Sequence, residues 1–243
     1  MLNLVIIPTY RESENIKAII EAISSLPVEF DILVIDDNSP DGTADIVKNL
    51  QKTHSNLFLI ERPGKMGLGT AYLTGFDWAI EKGYPYIYEM DADFSHNPAD
   101  LERLYHTCNH NSADVAIGSR YISGVNVVDW PLSRVLISYF ASIYVRIVTG
   151  MKIKDTTAGF KCYRRDVLKN IRKYRIRSVG YAFQIEMKFT AWKLGYKIVE
   201  IPIIFTDRKQ GTSKMSGGIF TEAFIGVLRM KLRSFFVKYN KES

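Results

Sequence analysis

The chain has 243 residues, of which 47% are apolar, a composition typical of one large α/β domain or two small ones with a sizeable core. The two cysteines, Cys108 and Cys162, are too few for a disulfide framework and lack the spacing of metal ligands, so a reducing compartment is expected. The formal charge of +6 favours anionic partners, which include nucleotides, lipid phosphates, acidic membranes and nucleic acid.

Neither a signal peptide nor a membrane-spanning helix is predicted. Residues 1–8 are apolar but have no basic leader and no small-residue cleavage site, so they are interpreted as a first strand. A spanning helix needs about 18 or more residues with few or no charges, and no uncharged apolar run of that length occurs. The protein is therefore expected to be soluble or to lie on a surface.

The first part of the chain alternates strand and helix patterns, which predicts a parallel sheet with helices on both faces. Ser13 is the expected N-cap of the first helix, in which isoleucines recur at helical spacing. The predicted strands are 4–7, 31–35, 57–61 and 84–88, and the predicted helices are 13–26, 43–51 and 70–81.

The second part of the chain has no clear linker, so a single domain covering residues 1–243 is predicted. Its predicted helices are 100–110, 132–148, 181–194 and 219–239, and its predicted strands are 114–117, a short basic strand after residue 160, and 197–205.

Two aspartates, Asp91 and Asp93, follow the predicted fourth strand. Ligands of open α/β sheets bind beyond the carboxyl ends of the strands. A chain that turns out of a strand can bring two carboxylates round one hard cation, so a divalent metal bridging to a diphosphate is one interpretation. The other is that the aspartates only cap the next helix and turn the chain, which is the commoner role of an isolated motif.

Three other turns lie at the same predicted edge. Tyr10 and Glu12 follow the first strand and can stack on a base and bond a sugar, although an ordinary turn has the same composition. Acids at 36–41 follow the second strand among strong turn-forming residues. The glycine-bearing loop 62–71 can hold phosphate on backbone N–H groups, but it lacks the dinucleotide and Walker patterns, which argues against a Rossmann cofactor site or an NTPase.

Three basic segments complete the pattern. Residues 207–218 have the composition of a loop that can fold over phosphates or simply remain solvated. Residues 219–239 form a basic amphipathic helix that either packs on the domain or docks to anionic lipid. Helix 132–148 carries Arg134 and Arg146 on an apolar, aromatic surface and has the same two interpretations.

Together these segments resemble family 2 glycosyltransferases, and within them the dolichyl- or polyprenyl-phosphate mannose synthases whose catalytic subunit has no transmembrane span. The segments that carry the resemblance are 5–12, 34–43, 67–71, 90–93, 118–121 and 207–214. Each motif alone is weak, but the ordered set covers nearly the whole chain and is specific. It favours the metal interpretation of Asp91 and Asp93 over the capping one.

The resemblance implies a GT-A type fold and transfer of mannose from GDP-mannose to a polyprenyl phosphate, with inversion and with Mg²⁺ or Mn²⁺. Residues 1–118 would form the nucleotide-binding half, 119–218 the acceptor half with a mobile loop, and 219–243 the amphipathic helix. It also implies a cytoplasmic protein, peripheral on the cytoplasmic face of a membrane. Helix 132–148, helix 219–239 or an anchoring subunit would supply the membrane contact, and the partner expected is either such a subunit or a second copy of the chain in a homo-oligomer.

The resemblance further assigns roles to individual residues. Asp91 and Asp93 would hold the metal, and Ser95 stands where many relatives have a metal-binding glutamine, although serine is a poorer ligand. The catalytic residues would be Asp93, Arg120, Arg134 and Arg208. The nucleotide pocket would be formed by Pro8, Tyr10, Glu12, Ile35, Asp37 and Ala92, the lipid phosphate would be received by Arg120 and Arg134, and the diphosphate would be covered by Arg208 and Lys214.

Three other functions compete with this one. A sister enzyme would move glucose or another sugar from a UDP donor to the same lipid, since the two aspartates serve any nucleoside diphosphate. A non-catalytic scaffold would dock to membranes through its basic helix. A nucleic-acid binder fits the charge, but acids at three strand ends would repel phosphate unless a metal intervenes.

Overall fold

The computed structural model describes residues 3–110, 113–178, 180–207 and 218–241. Its strands are β1 (Asn3–Thr9), β2 (Asp31–Asp36), β3 (Leu57–Glu61), β4 (Tyr86–Glu89), β5 (Val115–Ser119), β6 (Val127–Val128), β7 (Lys161–Arg164), β8 (Ile198–Pro202) and β9 (Phe205–Thr206). Its helices are α1 (Ile16–Ser24), α2 (Thr43–Leu50), α3 (Leu68–Lys82), α4 (Asp100–Asn109), α5 (Leu132–Thr149), α6 (Arg165–Arg172), α7 (Tyr181–Lys193) and α8 (Gly218–Arg233).

Seven strands form one sheet in the order β3-β2-β1-β4-β7-β5-β8, and β7 runs antiparallel to both of its neighbours. The predicted α/β class with a mostly parallel sheet is therefore confirmed. The reversed β7 has a consequence for the site. Its amino end lies beside the carboxyl ends of β4 and β5, so residues 155–160, which precede it, reach the edge where Asp91 follows β4.

Helices cover both faces of the sheet, because successive side chains of a buried strand point to opposite sides. In β1, Leu4 and Ile6 pack towards α3 and α7, whereas Val5 and Ile7 pack towards α1 and α4. All four side chains are fully buried. The isoleucines of α1 face the sheet, as their spacing predicts.

Several local predictions were wrong. Ser13 is not the N-cap of α1, which begins at Ile16, because the backbone of Ser13 donates instead to Asp41 in the turn after β2. The predicted strand 197–205 is two strands, since the chain leaves the main sheet after Pro202 and pairs with β6 in a separate two-stranded sheet. Strand β6 and helix α6 were not predicted.

Helix α8 ends at Arg233 and not near residue 239, and the following residues fold back over the domain, where Tyr239 stacks on Tyr174 with ring centroids 5.1 Å apart. Helix α8 also packs against α5, and the rings of Tyr144 and Phe224 stack at 4.2 Å. The two helices whose sequences combine basic and apolar residues therefore lie side by side.

In the described part of the chain, one helix is long and apolar enough to cross a membrane by length and composition. It is α5, with a mean hydropathy of 1.3 over 18 residues, of which 17% are buried. The expectation of no such helix rested on an uncharged run, and the two arginines of α5 interrupt that run without lowering its mean hydropathy below the range of spanning helices.

Candidate active site

A cavity of about 950 Å³ opens at the carboxyl edge of the sheet and continues between α5 and α8. Its polar end contains Asp91, Asp93, Ser95, Arg120 and Arg134. Its other end is apolar, and it is lined by Leu136, Ile137, Phe140, Tyr144, Val145, Phe224 and Val227. The structure thus brings the predicted metal-binding residues and two of the predicted phosphate-binding arginines into one cavity.

The turn after β4 presents both aspartates to this cavity. Phe94 has a positive φ of 58°, which reverses the chain, and the backbone N–H of Ser95 donates to Asp93 Oδ1 at 3.1 Å. The Ser95 hydroxyl is buried and has no hydrogen-bond partner. Two carboxylates and an unused hydroxyl oxygen are ligands that suit a hard divalent cation.

No group of three or more acidic, histidine or cysteine side chains suited to a metal occurs in the ranges that the structure describes. Mg²⁺ sites commonly use one or two carboxylates and complete their coordination with water and substrate phosphates. The donor set of this turn therefore fits a cation that binds together with a diphosphate.

The predicted nucleotide pocket lies at the ends of β1 and β2, where Pro8 pairs in register with Ile35. The Ile35 and Ala92 side chains are buried in the two cores, so any contact they make with a nucleotide would be through their backbone. Tyr10 lies at the end of β1 with the Lys65 ammonium 4.8 Å from its ring centroid. Glu12 accepts a bond from Asn15 at the start of α1.

Asp37 is bound to the glycine-bearing loop after β3. Its carboxylate accepts from Arg62 Nε at 2.6 Å and from the backbone N–H of Met66 at 3.1 Å. Arg62 in turn donates to Thr70 at 2.8 Å and to the Gly67 carbonyl. Asp37 therefore holds the loop in place, which is a structural contribution to the pocket that the sequence did not reveal.

Arg120 is anchored by a buried carboxylate. Its Nε and Nη2 donate to the two oxygens of Asp155 at 2.7 Å each, its backbone N–H donates to the same group, and Nη2 also reaches Thr157. Burial would raise the pKa of Asp155, but Arg120 outweighs that effect, and the pKa lies below its ordinary value. The pair fixes one guanidinium face at the cavity wall.

Arg134 is held more loosely and contacts the same Trp130 ring as Arg120. Its Nη1 donates to both oxygens of Asp207, at 2.9 and 2.8 Å, and its guanidinium lies 4.1 Å from the ring centroid of Trp130. The pair is about one-quarter exposed. A carboxylate already occupies the position that an anionic ligand of Arg134 would take.

Helix α7 contributes polar side chains that the sequence analysis did not assign to the site. Lys188 is fully buried and donates to the carbonyls of Thr156, Ala158 and Gln184, at 3.0, 2.6 and 3.3 Å. Burial, reinforced by the nearby Lys161, lowers the pKa of Lys188 well below its ordinary value. The polar residues of α7 alternate with apolar ones and form no separate polar face, so some of them must be buried and paired, and this was the available signal.

His96 is a further lining residue that the sequence analysis missed. It is buried, stacks on Phe160 with centroids 4.9 Å apart, and meets Phe205 edge-on. Burial lowers the pKa of His96 to about 4, although the nearby Asp93 opposes the shift. His96 is therefore neutral at pH 7. Arg208 and Lys214, the remaining predicted site residues, lie outside the described residues.

Comparison with known proteins gives consistent matches. Residues 4–172 match the family described as glycosyl transferase family 2. The chain is 44% identical over 229 residues to an undecaprenyl-phosphate mannosyltransferase of Micrococcus luteus, covering 94% of this chain and 93% of that protein. It is 44% identical over 231 residues to a polyprenol monophosphomannose synthase of Mycolicibacterium smegmatis, covering 95% and 87%.

Among solved structures, the fold is similar to glucosyl-3-phosphoglycerate synthase of Mycobacterium tuberculosis, with a TM-score of 0.70, 15% identity and coverage of 94% and 79%. It is also similar to a mannosyltransferase of Pyrobaculum calidifontis crystallised with GDP-Man and Mn²⁺, with a TM-score of 0.55, 14% identity and coverage of 96% and 72%. These similarities confirm the predicted GT-A type architecture. At identities of 15% and 14% they are evidence for the fold only.

We expect Asp155→Ala to lower the free energy of unfolding by about 3 kcal/mol at pH 7, because it leaves the buried Arg120 uncompensated. The matched control is Asp77→Ala, which removes an exposed bidentate pair with Arg172 and should cost at most about 1 kcal/mol. Denaturant titration measures both. Equal losses in the two variants would contradict the structural importance of the buried pair.

The same pair predicts a pH dependence. Because the pKa of folded Asp155 is depressed, its stabilisation is present above the unfolded pKa, near 4, and is lost as the pH falls through the folded value. The stability difference between wild type and Asp155→Ala should therefore shrink below about pH 4.

Proposed function

Because this chain belongs to glycosyl transferase family 2, we propose that it transfers mannose from GDP-mannose to the phosphate of a polyprenyl lipid, with inversion at the sugar carbon. The names of the two relatives at 44% identity, a mannosyltransferase acting on undecaprenyl phosphate and a polyprenol monophosphomannose synthase, support this activity. Both alignments cover nearly the whole chain.

The continuous cavity is the observation that carries the proposal. One end offers two carboxylates and two arginines, and the other is a trough of aliphatic and aromatic side chains between α5 and α8. A substrate that combines a phosphate with a long apolar chain matches both ends. A sugar or nucleotide acceptor would leave the apolar end without a partner.

Asp91 and Asp93, with Ser95 beside them, are the residues that would hold Mg²⁺ or Mn²⁺ on the donor diphosphate. When bound, such a cation neutralises the negative charge that develops on the departing nucleoside diphosphate. Their place at the end of β4 suits this role, because the ends of β1 and β2, where the nucleotide pocket is predicted, lie on the same edge of the sheet.

The acceptor needs no general base, because a lipid phosphate is already an anion near neutral pH. The protein's contribution is therefore orientation, through charge-assisted bonds from arginine. Arg120, fixed by Asp155, provides one cation, and Arg134, which contacts the same Trp130 ring, provides a second. The neutral His96 adds no charge that would repel the metal.

Arg134 must exchange partners for this to occur. In the structure its guanidinium binds Asp207, and an acceptor phosphate would displace that carboxylate. The exchange replaces one anion with another, so the desolvation of Arg134 is similar in both states. Trp130 holds the guanidinium plane during the exchange, through its contact at 4.1 Å.

We also propose that the protein lies on the cytoplasmic face of an anionic membrane. Apolar side chains of α5 and of the segment that follows α8 face solvent, including Ile147 at 77% exposure, Phe235 at 70% and Phe236 at 89%. The basic residues Lys231 and Arg233 accompany them. Such a surface suits the boundary between lipid headgroups and acyl chains.

A transfer assay tests the activity. With radiolabelled donors and a short polyprenyl phosphate, we expect mannose transfer from GDP-mannose to exceed glucose transfer from UDP-glucose, and chelation of divalent ions to stop it. Asp93→Ala should lower turnover by about 1,000-fold or more, since metal stabilisation of the leaving group is worth several kcal/mol. The control is Asp45→Ala, which removes an exposed acid of α2. Full activity of Asp93→Ala, or a preference for the UDP donor, would contradict the proposal.

Arg134→Ala should raise the KM for polyprenyl phosphate by about 10-fold or more, as expected for loss of a hydrogen bond between charged groups. The KM for GDP-mannose should change little. Arg146→Ala, an exposed arginine of the same helix that does not line the cavity, is the control. An unchanged acceptor titration for Arg134→Ala would count against its role.

Replacing Phe235 and Phe236 together by serine should weaken binding to anionic vesicles by about 10-fold or more, because two large apolar groups no longer enter the interface. Sedimentation with vesicles of anionic and of neutral lipids measures the effect. If the variant binds anionic vesicles as tightly as wild type, these residues do not form the docking surface.

A further inference from the structure

The side-chain amide of Gln184 is held rigidly at the wall of the cavity. Gln184 lies on α7, is 3% exposed and lines the same cavity as Asp91 and Asp93. Its Oε1 accepts a hydrogen bond from the Lys161 ammonium, and its Nε2 donates to Glu89 at 2.6 Å. Both partners are fully buried and form an ion pair with each other at 3.1 Å.

These partners determine the orientation of the amide. An ammonium only donates and a carboxylate only accepts, so the oxygen of Gln184 must face Lys161 and the nitrogen must face Glu89. An amide nitrogen carries two hydrogens, and the bond to Glu89 uses one of them. The second hydrogen remains for another acceptor.

Gly159 leaves that nitrogen uncovered. A Cβ at this position would lie 3.7 Å from Gln184 Nε2, in ordinary contact with it. Gly159 itself lines the cavity. The absence of a side chain therefore opens a path between the cavity and the amide.

The place of the Gln184 amide in the cavity indicates which group of the donor it can bind. Gln184 binds Glu89, which precedes Asp91 by two residues. The Cα atoms of two residues so spaced in an extended chain are roughly 7 Å apart, so the amide lies within about one donor group of the aspartates. If the donor diphosphate lies at Asp91 and Asp93, the next group of the donor at this distance is the sugar. A neutral N–H suits a hydroxyl oxygen better than a phosphate, because the Lys161–Glu89 pair behind it carries no net positive charge.

We propose that Gln184 is a specificity-determining residue that donates a hydrogen bond from Nε2 to one hydroxyl of the donor sugar, with Lys161 and Glu89 fixing its orientation. The inference rests on the proposed function. Discrimination by such a contact is strong, because a donor sugar that lacks the hydroxyl leaves a buried polar group unpaired.

The test compares GDP-mannose with its 2-, 3-, 4- and 6-deoxy analogues, using wild type and Gln184→Met. In wild type, one deoxy donor should lose about 10-fold or more in kcat/KM relative to GDP-mannose, as for a hydrogen bond to a buried partner. In Gln184→Met that same ratio should fall towards one, while GDP affinity in the presence of Mn²⁺ stays unchanged.

A second variant keeps the buried ion pair intact. Gly159→Ala adds a methyl group beside Nε2 without removing any of its bonds, and it should reduce the same discrimination while the unfolding midpoint is kept. Its matched control is Gly226→Ala in α8, where an added Cβ would also make an ordinary contact, at 3.7 Å from Ala182, at a position that does not line the cavity.

The outcomes separate the two levels of inference. Normal mannose transfer by wild type, with the same losses for every deoxy donor in wild type and Gln184→Met, would overturn the role of Gln184 alone. No transfer by wild type from GDP-mannose would overturn the proposed function and this inference with it. A Gln184→Met variant that loses GDP affinity as strongly as turnover would indicate a structural role and would also overturn the inference.

Discussion

The buried ion pair between Arg120 and Asp155 is the interaction on which the active-site edge depends. A guanidinium at the wall of an apolar cavity would be costly without a partner, and Asp155 compensates it by accepting two hydrogen bonds from the guanidinium and a third from the backbone N–H of Arg120. The carboxylate is itself held by the chain before β7, whose backbone donates to Glu200 on β8 at 2.7 and 2.8 Å. The position of Arg120 at the cavity therefore depends, through Asp155, on Glu200 in the edge strand of the sheet.

A second set of buried polar contacts lies around the loop before β7. Lys188 binds two carbonyls of the loop before β7, those of Thr156 and Ala158, and Lys161 forms a buried pair with Glu89 at the end of β4. Hydrogen bonds from buried amino groups fix backbone positions more strongly than apolar contacts do, because a displaced donor would lose its partner in a medium of low dielectric constant. The loop with Thr157 and Gly159 is therefore a rigid wall.

The antiparallel strand β7 makes this arrangement possible. In a purely parallel sheet, the segment before each strand lies at the opposite edge from the ligand. Because β7 is reversed between β4 and β5, the segment before it lies at the ligand edge and brings Asp155 to Arg120. The two halves of the chain, predicted as nucleotide and acceptor halves, consequently share one sheet and one cavity.

Some features of the fold and of the site could be predicted from the sequence and others could not, for physical reasons. Three features could be predicted from the sequence because each depends on local chain geometry. They are the alternation of strands and helices, the isoleucines of α1 that face the sheet and the aspartates that follow β4. The roles of Asp37 and Asp155 in anchoring arginines were not readable, because their partners are 25 and 35 residues away. The strand 197–205 was misread because its apolar run continues across a change of sheet.

By itself, the sequence determined the order of most elements, the mostly parallel α/β sheet and the presence of acids at its carboxyl edge, since hydrophobic periodicity and turn residues act over a few positions. Only the tertiary structure decided the direction of β7, the pairing of α5 with α8 and the joining of a charged end and an apolar end in one cavity. Those features arise from contacts between residues far apart in the chain, whose free energies no local pattern encodes.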